Sequence, residues 1–196
     1  MSYKNTAQGY GRIARWLHWA TAVLFLLAYS AVYYRHWFTE KQTPENIVAL
    51  NLHLSAGISI GVFVILRIAW RFMNVQPALE PGPRWQQILA HTGHVALYAI
   101  MILMPLSGYF GTGRATDFFY LFTIPKFEDT WMFDVLVWDF LGMTFDEFEK
   151  PIDFFHKEIM GAWLVWILIT GHAVAAIYHH RVLKDRTLTK MTGGKQ

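Results

Sequence analysis

Four stretches of the chain are apolar over lengths close to the thickness of a bilayer, and polar or turn-rich segments separate them. A helical span needs about 20 residues, and residues 13–34, 47–70, 88–112 and 156–180 meet that length. Pro77, Pro81, Gly82 and Pro83 break the chain between the second and third stretches, as turn formers do. Between the third and fourth lies a long connection, residues 114–153, which contains WMFDVLVWDFLGMTF at 131–145. That run is too short to span and carries Asp134 and Asp139, so it predicts an interfacial helix. The predicted fold class is all-α: a four-helix transmembrane bundle with an interfacial segment in the third connection, one domain over residues 1–196. The first apolar run is too long for a secretion signal and lacks a small-residue cleavage site, which predicts a retained helix.

Charge orients the bundle. The N-terminal arm, the second connection and the C-terminal tail hold eleven of the seventeen Lys and Arg, Lys195 among them, against only Glu80 and Asp185. By the positive-inside rule these segments are cytoplasmic and both termini are inside, which in a bacterium means the inner membrane. The opposite side holds the remaining twelve acids against six bases, with the excess concentrated in the third connection.

Composition narrows the chemistry. Aromatic residues make up 17% of the chain, with nine Trp, a membrane profile. There is no cysteine, so disulfides, iron–sulfur clusters and covalent c-type haem attachment are excluded and histidine becomes the leading metal or haem ligand. Nothing in the charge pattern suggests nucleic acid.

Histidines at membrane depth are costly unless paired or coordinating, and they sort into two layers. His18 follows Arg12 and Arg15, and His172 lies nine residues before Arg181, so both fall toward the inner face. His53, early in the second span, and His156, opening the fourth, fall toward the outer face. His156 and His172 are sixteen residues apart, about 24 Å along an ideal helix, so they serve separate sites. Two pairs at two depths match two bis-histidine b haems, each iron taking one imidazole on either side of the porphyrin. His91 and His94 open the third span on the inner side, with Tyr98 one turn on, and compete with His18 as the partner of His172. His179 and His180 suit a supporting or interfacial role. Gly57 and Gly61 follow His53 at four-residue steps, and Gly161 shares the face of His172. Such small-residue faces can either receive a flat macrocycle or bring helices together.

RWLHW at 15–19, LHLSAGISI at 52–60, LRIAWR at 66–71, AHTGHVALY at 90–98, LMPLSGY at 103–109, GHAVAAIYHH at 171–180 and the closing KDRTLTKMTGG resemble the bacterial cytochrome b561 family over nearly the whole chain. Relatives of that family include superoxide oxidase and the b-type subunits of hydrogenases and formate dehydrogenases. The resemblance implies two haem b groups, with His18 paired to His172 and His53 to His156 as iron ligands. It leaves His91 and His94 outside the ligand set. The chain departs from the family in one spacing. Fourteen residues usually separate the two ligands of the fourth helix, which keeps both on one face. Sixteen turn His156 about 160° away from His172 in an ideal helix. Either π-bulges absorb the extra residues, or His156 stands on irregular backbone before the helix begins.

The expected function is a membrane cytochrome that transfers electrons between the quinone pool, ubiquinone or menaquinone, and a redox partner on the periplasmic side. As an enzyme it is expected to be a quinone-linked oxidoreductase, with superoxide oxidation one candidate activity. The alternative is a non-enzymatic cytochrome b anchor that relays electrons from a peripheral dehydrogenase or hydrogenase to quinone. A histidine-lined transporter is disfavoured, because the spans carry no acidic residue at mid-membrane.

Overall fold

The computed structural model describes residues 2–193. Lys195 and the last glycine of KDRTLTKMTGG lie outside the described residues. Four helices are long and apolar enough to cross a membrane: α1 (Arg12–Phe38), α2 (Pro44–Met73), α3 (Arg84–Phe110) and α4 (Phe145–Leu183). All are longer than the predicted spans because their ends carry polar turns that hydropathy alone does not capture. α2 starts where Thr43 caps the amide of Asn46 and Pro44 presets the first helical φ. A short helix α5 (Thr187–Thr192) closes the described chain.

The predicted boundaries fail most at α4. Thr144 and Glu147 form a reciprocal capping box, so the helix begins at Phe145 and runs through Pro151. Asp146, Glu147, Glu149 and Asp153, read from sequence as part of a loop, therefore stand on the first turns of a membrane helix. The interfacial helix predicted over 131–145 is shorter as well, covering Trp131–Phe133 and continuing as π-type winding over Asp134–Asp139. It packs Phe133 and Val137 against Phe127 and Phe145. A two-stranded hairpin, β1 (Thr116–Phe118) with β2 (Phe122–Ile124), fills the start of the same connection. Asn51 of α2 exchanges two hydrogen bonds of 3.0 Å with the backbone of Asp117, and Ser55 accepts from the Phe119 amide. The hairpin is thereby pinned to α2 beside His53.

Both described ends of the chain gather with the second connection at one end of the bundle, here the terminal face. Asn5 donates to Val75 O, Ala78 N to Ala7 O, and Lys190 pairs with Glu80 at 2.5 Å. Gly11 is required there, since a Cβ would stand 2.3 Å from the carbonyl oxygen of Tyr3. The hairpin and the acidic turns of α4 form the opposite, distal face.

The core joins all four helices at mid-depth: Phe25 and Ala28, Ala56, Ile60 and Val64, Ile100, Met101 and Met104, Met160 and Val165. Close packing of these side chains holds the bundle, because lipid is as apolar as they are and burial alone offers little drive. Residues such as Val23, Leu26, Val62, Ile65, Trp163 and Ile167 remain exposed, as lipid-facing positions should.

Candidate functional site

Two imidazole pairs face each other across the bundle, one on either side of this core. At the distal level His53 of α2 meets His156 of α4, ring centres 6.3 Å apart and planes at 82°. At the terminal level His18 of α1 meets His172 of α4, ring centres 6.1 Å apart. Two metal–nitrogen bonds of about 2 Å, plus the reach from each nitrogen to its ring centre, give about 6 Å. Each of the four histidines is half-buried.

The distal pair is oriented by the backbone around it. His53 Nδ1 lies 2.9 Å from the carbonyl oxygen of Ala28. A carbonyl only accepts, so the ring proton sits on Nδ1 and Nε2 is left with a free lone pair. His156 Nδ1 lies 3.0 Å from Ser107 Oγ, whose own hydroxyl donates to Leu103 O at 2.7 Å. His156 therefore also donates from Nδ1 and keeps Nε2 free.

The sixteen-residue spacing is absorbed by the winding of α4. Phe155–Leu164 is a ten-residue π-helix, and the Val165 amide bonds back five residues to Met160 O. Each five-residue closure takes up one residue more than an α-turn, so ten such residues absorb about two. The interval then turns like fourteen α-helical residues, and His156 and His172 share one face of α4. Gly161 is the close approach in this winding: a Cβ there would stand 2.8 Å from His156 O. The hydroxyl of Tyr29 on α1 donates to Gly161 O at 3.0 Å, satisfying a carbonyl in the widened π-turn.

The terminal level is less exclusive. His94 of α3 also approaches His172, ring centres 5.8 Å apart, so three imidazoles converge there. Arg67 Nη2 stands 3.4 Å from His18 Nδ1, and its guanidinium lies over the Tyr98 ring at 5.5 Å. A guanidinium can only donate, so His18 lacks the Nδ1–H donation that fixes both distal rings. Beside it opens a cavity lined by Tyr10, His18, Arg67, Trp70, Arg71 and His94, with the indole nitrogen of Trp70 buried and unpaired. Burial pushes the Tyr10 phenol above its usual range, with Arg71 opposing.

The remaining residues singled out in the sequence divide. A Cβ at Gly57 would meet nothing within 4 Å, so that position borders open space, whereas Gly61 packs on Pro105 of α3 at 3.4 Å. His91 is exposed at the start of α3. His179 pairs with Asp185, which also accepts from the Thr187 amide at 2.9 Å. Partial burial works to raise the Asp185 carboxyl, but hydrogen bonds from His179 and Thr187 outweigh it and hold it below the usual carboxylate range. Among the described residues, no three or more His, Cys, Asp or Glu side chains are arranged to hold a bare metal ion. The sequence reading gave no role to Ser107, Ala28 or Arg67, although Ser107 and Arg67 stand in the motifs LMPLSGY and LRIAWR.

The chain is 28% identical over 182 residues to cytochrome b561 homolog 1 of Escherichia coli, covering 90% of this chain and 92% of that one. It is 25% identical to the probable superoxide oxidase CybB of Yersinia pestis, with 92% and 93% covered. It is 27% identical to cytochrome b562 of Cereibacter sphaeroides, with 93% and 94% covered. The family model for prokaryotic cytochrome b561 matches residues 9–194. The chain therefore belongs to the prokaryotic cytochrome b561 family, electron-transport proteins of the membrane whose cofactor is haem b.

Proposed function

We propose that this chain is a two-haem b cytochrome of the bacterial inner membrane, acting as one domain over residues 1–196, with both termini cytoplasmic. It moves electrons between quinone and a redox partner at the distal face. The observation that carries the reading is the pair of facing imidazoles at each of two levels, with ring centres 6.3 and 6.1 Å apart. The surroundings fit the group: the four histidines are half-buried, Gly57 and Gly171 border volume that no side chain fills, and both distal rings are held with Nε2 unengaged.

Haem b supplies a one-electron ferric/ferrous couple at each level. His53 and His156 would hold the distal group, and His18 with His172 the terminal one. Ala28 and Ser107 hold the distal rings in a single tautomer. The core of Phe25, Ile60, Met101, Met104 and Met160 keeps water out between the two levels.

At the terminal face the cavity beside His18 suits a quinone headgroup, ubiquinone or menaquinone. Reduction of a quinone consumes two electrons and two protons, and its carbonyls need hydrogen-bond donors. Tyr10, Trp70 and Arg71 offer donors there, and the cavity lies on the side from which the cytoplasm would supply protons.

At the distal face a cationic redox protein is favoured over superoxide. Lys126 pairs with Glu128 and Asp129, and Lys157 with Asp153 at 2.6 Å, so two cations that could draw in an anion are neutralised locally. The test is stoichiometric first: a pyridine haemochrome of the purified protein should give two haems per chain, falling to one in His172→Ala. One haem in the unaltered chain rejects the proposal. Reduction assays with ubiquinol, menaquinol and superoxide then identify the partners.

A further inference from the structure

We infer that Ser107 is the positioning residue of the distal site, holding the His156 ring so that Nε2 faces His53 and strengthening His156 as a donor to iron; this rests on the reading of His53 and His156 as a ligand pair. Ser107 stands on α3, 7% exposed, and its single hydroxyl proton is committed to the carbonyls of the preceding turn, Leu103 O at 2.7 Å and Met104 O at 3.1 Å. That commitment turns a lone pair toward His156 Nδ1 at 3.0 Å. The next residue completes the seat. A Cβ at Gly108 would stand 3.0 Å from His156 Cε1, so a side chain there would push the ring away from α3 by a few tenths of an ångström. Pro105 braces the same turn from the other side, against Gly61 of α2. The LMPLSGY stretch thus has a chemical reason for its composition: a hydroxyl to accept the ring proton, a glycine to admit the ring, and a proline to lock the helix to α2.

The two distal ligands are held by unequal acceptors: the Ala28 carbonyl alone for His53, and the Ser107 hydroxyl together with the Met104 carbonyl for His156. A hydrogen bond accepted from Nδ1–H raises the basicity of the ligand and favours the ferric state. Removing the Ser107 hydroxyl should weaken that preference and raise the potential of the distal haem alone.

Potentiometric titration of the full-length protein, with low-spin EPR of the same samples, tests this. His172→Ala identifies which transition belongs to the terminal haem. Ser107→Ala should raise the distal midpoint by the equivalent of about a tenfold change in ferric over ferrous preference, 59 mV for one electron. It should also shift the distal EPR signal and leave the terminal one in place, and Ser107→Thr should restore both. If Ser107→Ala loses the distal haem outright, retention in Ser107→Thr supports the hydroxyl and loss in both overturns it. Unchanged potentials and spectra in Ser107→Ala, with one haem missing in His156→Ala, also overturn the role of Ser107. Two haems retained in His156→Ala would instead remove the ligand pair on which it rests.

Discussion

A histidine becomes a ligand through what holds its other nitrogen, and by that measure the two levels of this cytochrome differ. At the distal level Ala28 O and Ser107 Oγ take the Nδ1 protons of His53 and His156. At the terminal level His172 has two imidazole neighbours, His18 at 6.1 Å and His94 at 5.8 Å between ring centres. Family pairing favours His18, and the exposure of His94 at the edge of the bundle agrees with it. His18→Ala should therefore lose the terminal haem, and His94→Ala should keep it with an altered potential. Haem per chain and the reduced absorption band of each variant check this, and the reverse result would make His94 the partner. The four histidines were legible in the sequence because hydrocarbon tolerates few of them. Ala28 and Ser107 were not, since a backbone carbonyl has no sequence signature and a helix-interior serine usually just bonds back to its own turn.

Along a single element, the unusual feature is the π-winding of α4. Hydropathy located a fourth span, and the sixteen-residue interval limited the options to π-bulges or irregular backbone. It could not place the helix start eleven residues before His156, because Pro151 reads as a stop signal when its partners are unknown. Gly161 gives a direct handle on the winding. Adding a methyl there sets a Cβ 2.8 Å from His156 O, a clash of the kind that costs about 1–3 kcal/mol. Gly161→Ala should destabilise the distal haem site selectively, seen as loss of one haem per chain or a lowered melting temperature of the distal Soret signal. Further along, α4 ends in a second π-turn, His179–Leu183, and Lys184 takes a left-handed conformation at φ 54°. Asp185 pins this corner through His179 and Thr187. Its folded carboxyl lies below the ordinary value of 3.8. The pin is therefore fully present above that value and lost as pH falls through the lower folded one. Limited proteolysis of the tail should stay slow at neutral pH and accelerate only in that acid range, and Asp185→Asn should accelerate it at neutral pH.

Taken whole, the molecule is a dipole of charge across a membrane. The terminal face gathers Arg67, Arg71, Arg84, Arg181 and Lys190, while the distal face carries Asp117, Glu128, Asp129, Asp134, Asp139 and the acids that open α4. The sequence announced the asymmetry but not its disposition, since half of the supposed acidic loop is helix and the hairpin that shares it is fastened to α2 beside His53. That arrangement puts the negative surface on rigid elements next to the distal site. A fixed negative field attracts a cationic protein over roughly a Debye length, about 8 Å at physiological ionic strength, and the attraction weakens as salt is added. The same field repels superoxide, because acids outnumber bases on this face and pair with Lys126 and Lys157. Reduction of the distal haem by a basic cytochrome should therefore be fast at low salt and slow several-fold between about 10 and 200 mM, and should respond less to salt in a variant with Asp134 and Asp139 changed to Asn. Reduction by superoxide should be slow and should accelerate with salt as the repulsion is screened. A superoxide rate near the diffusion limit that falls with added salt would require a positive funnel instead, and would make superoxide, not a basic protein, the partner at the distal face.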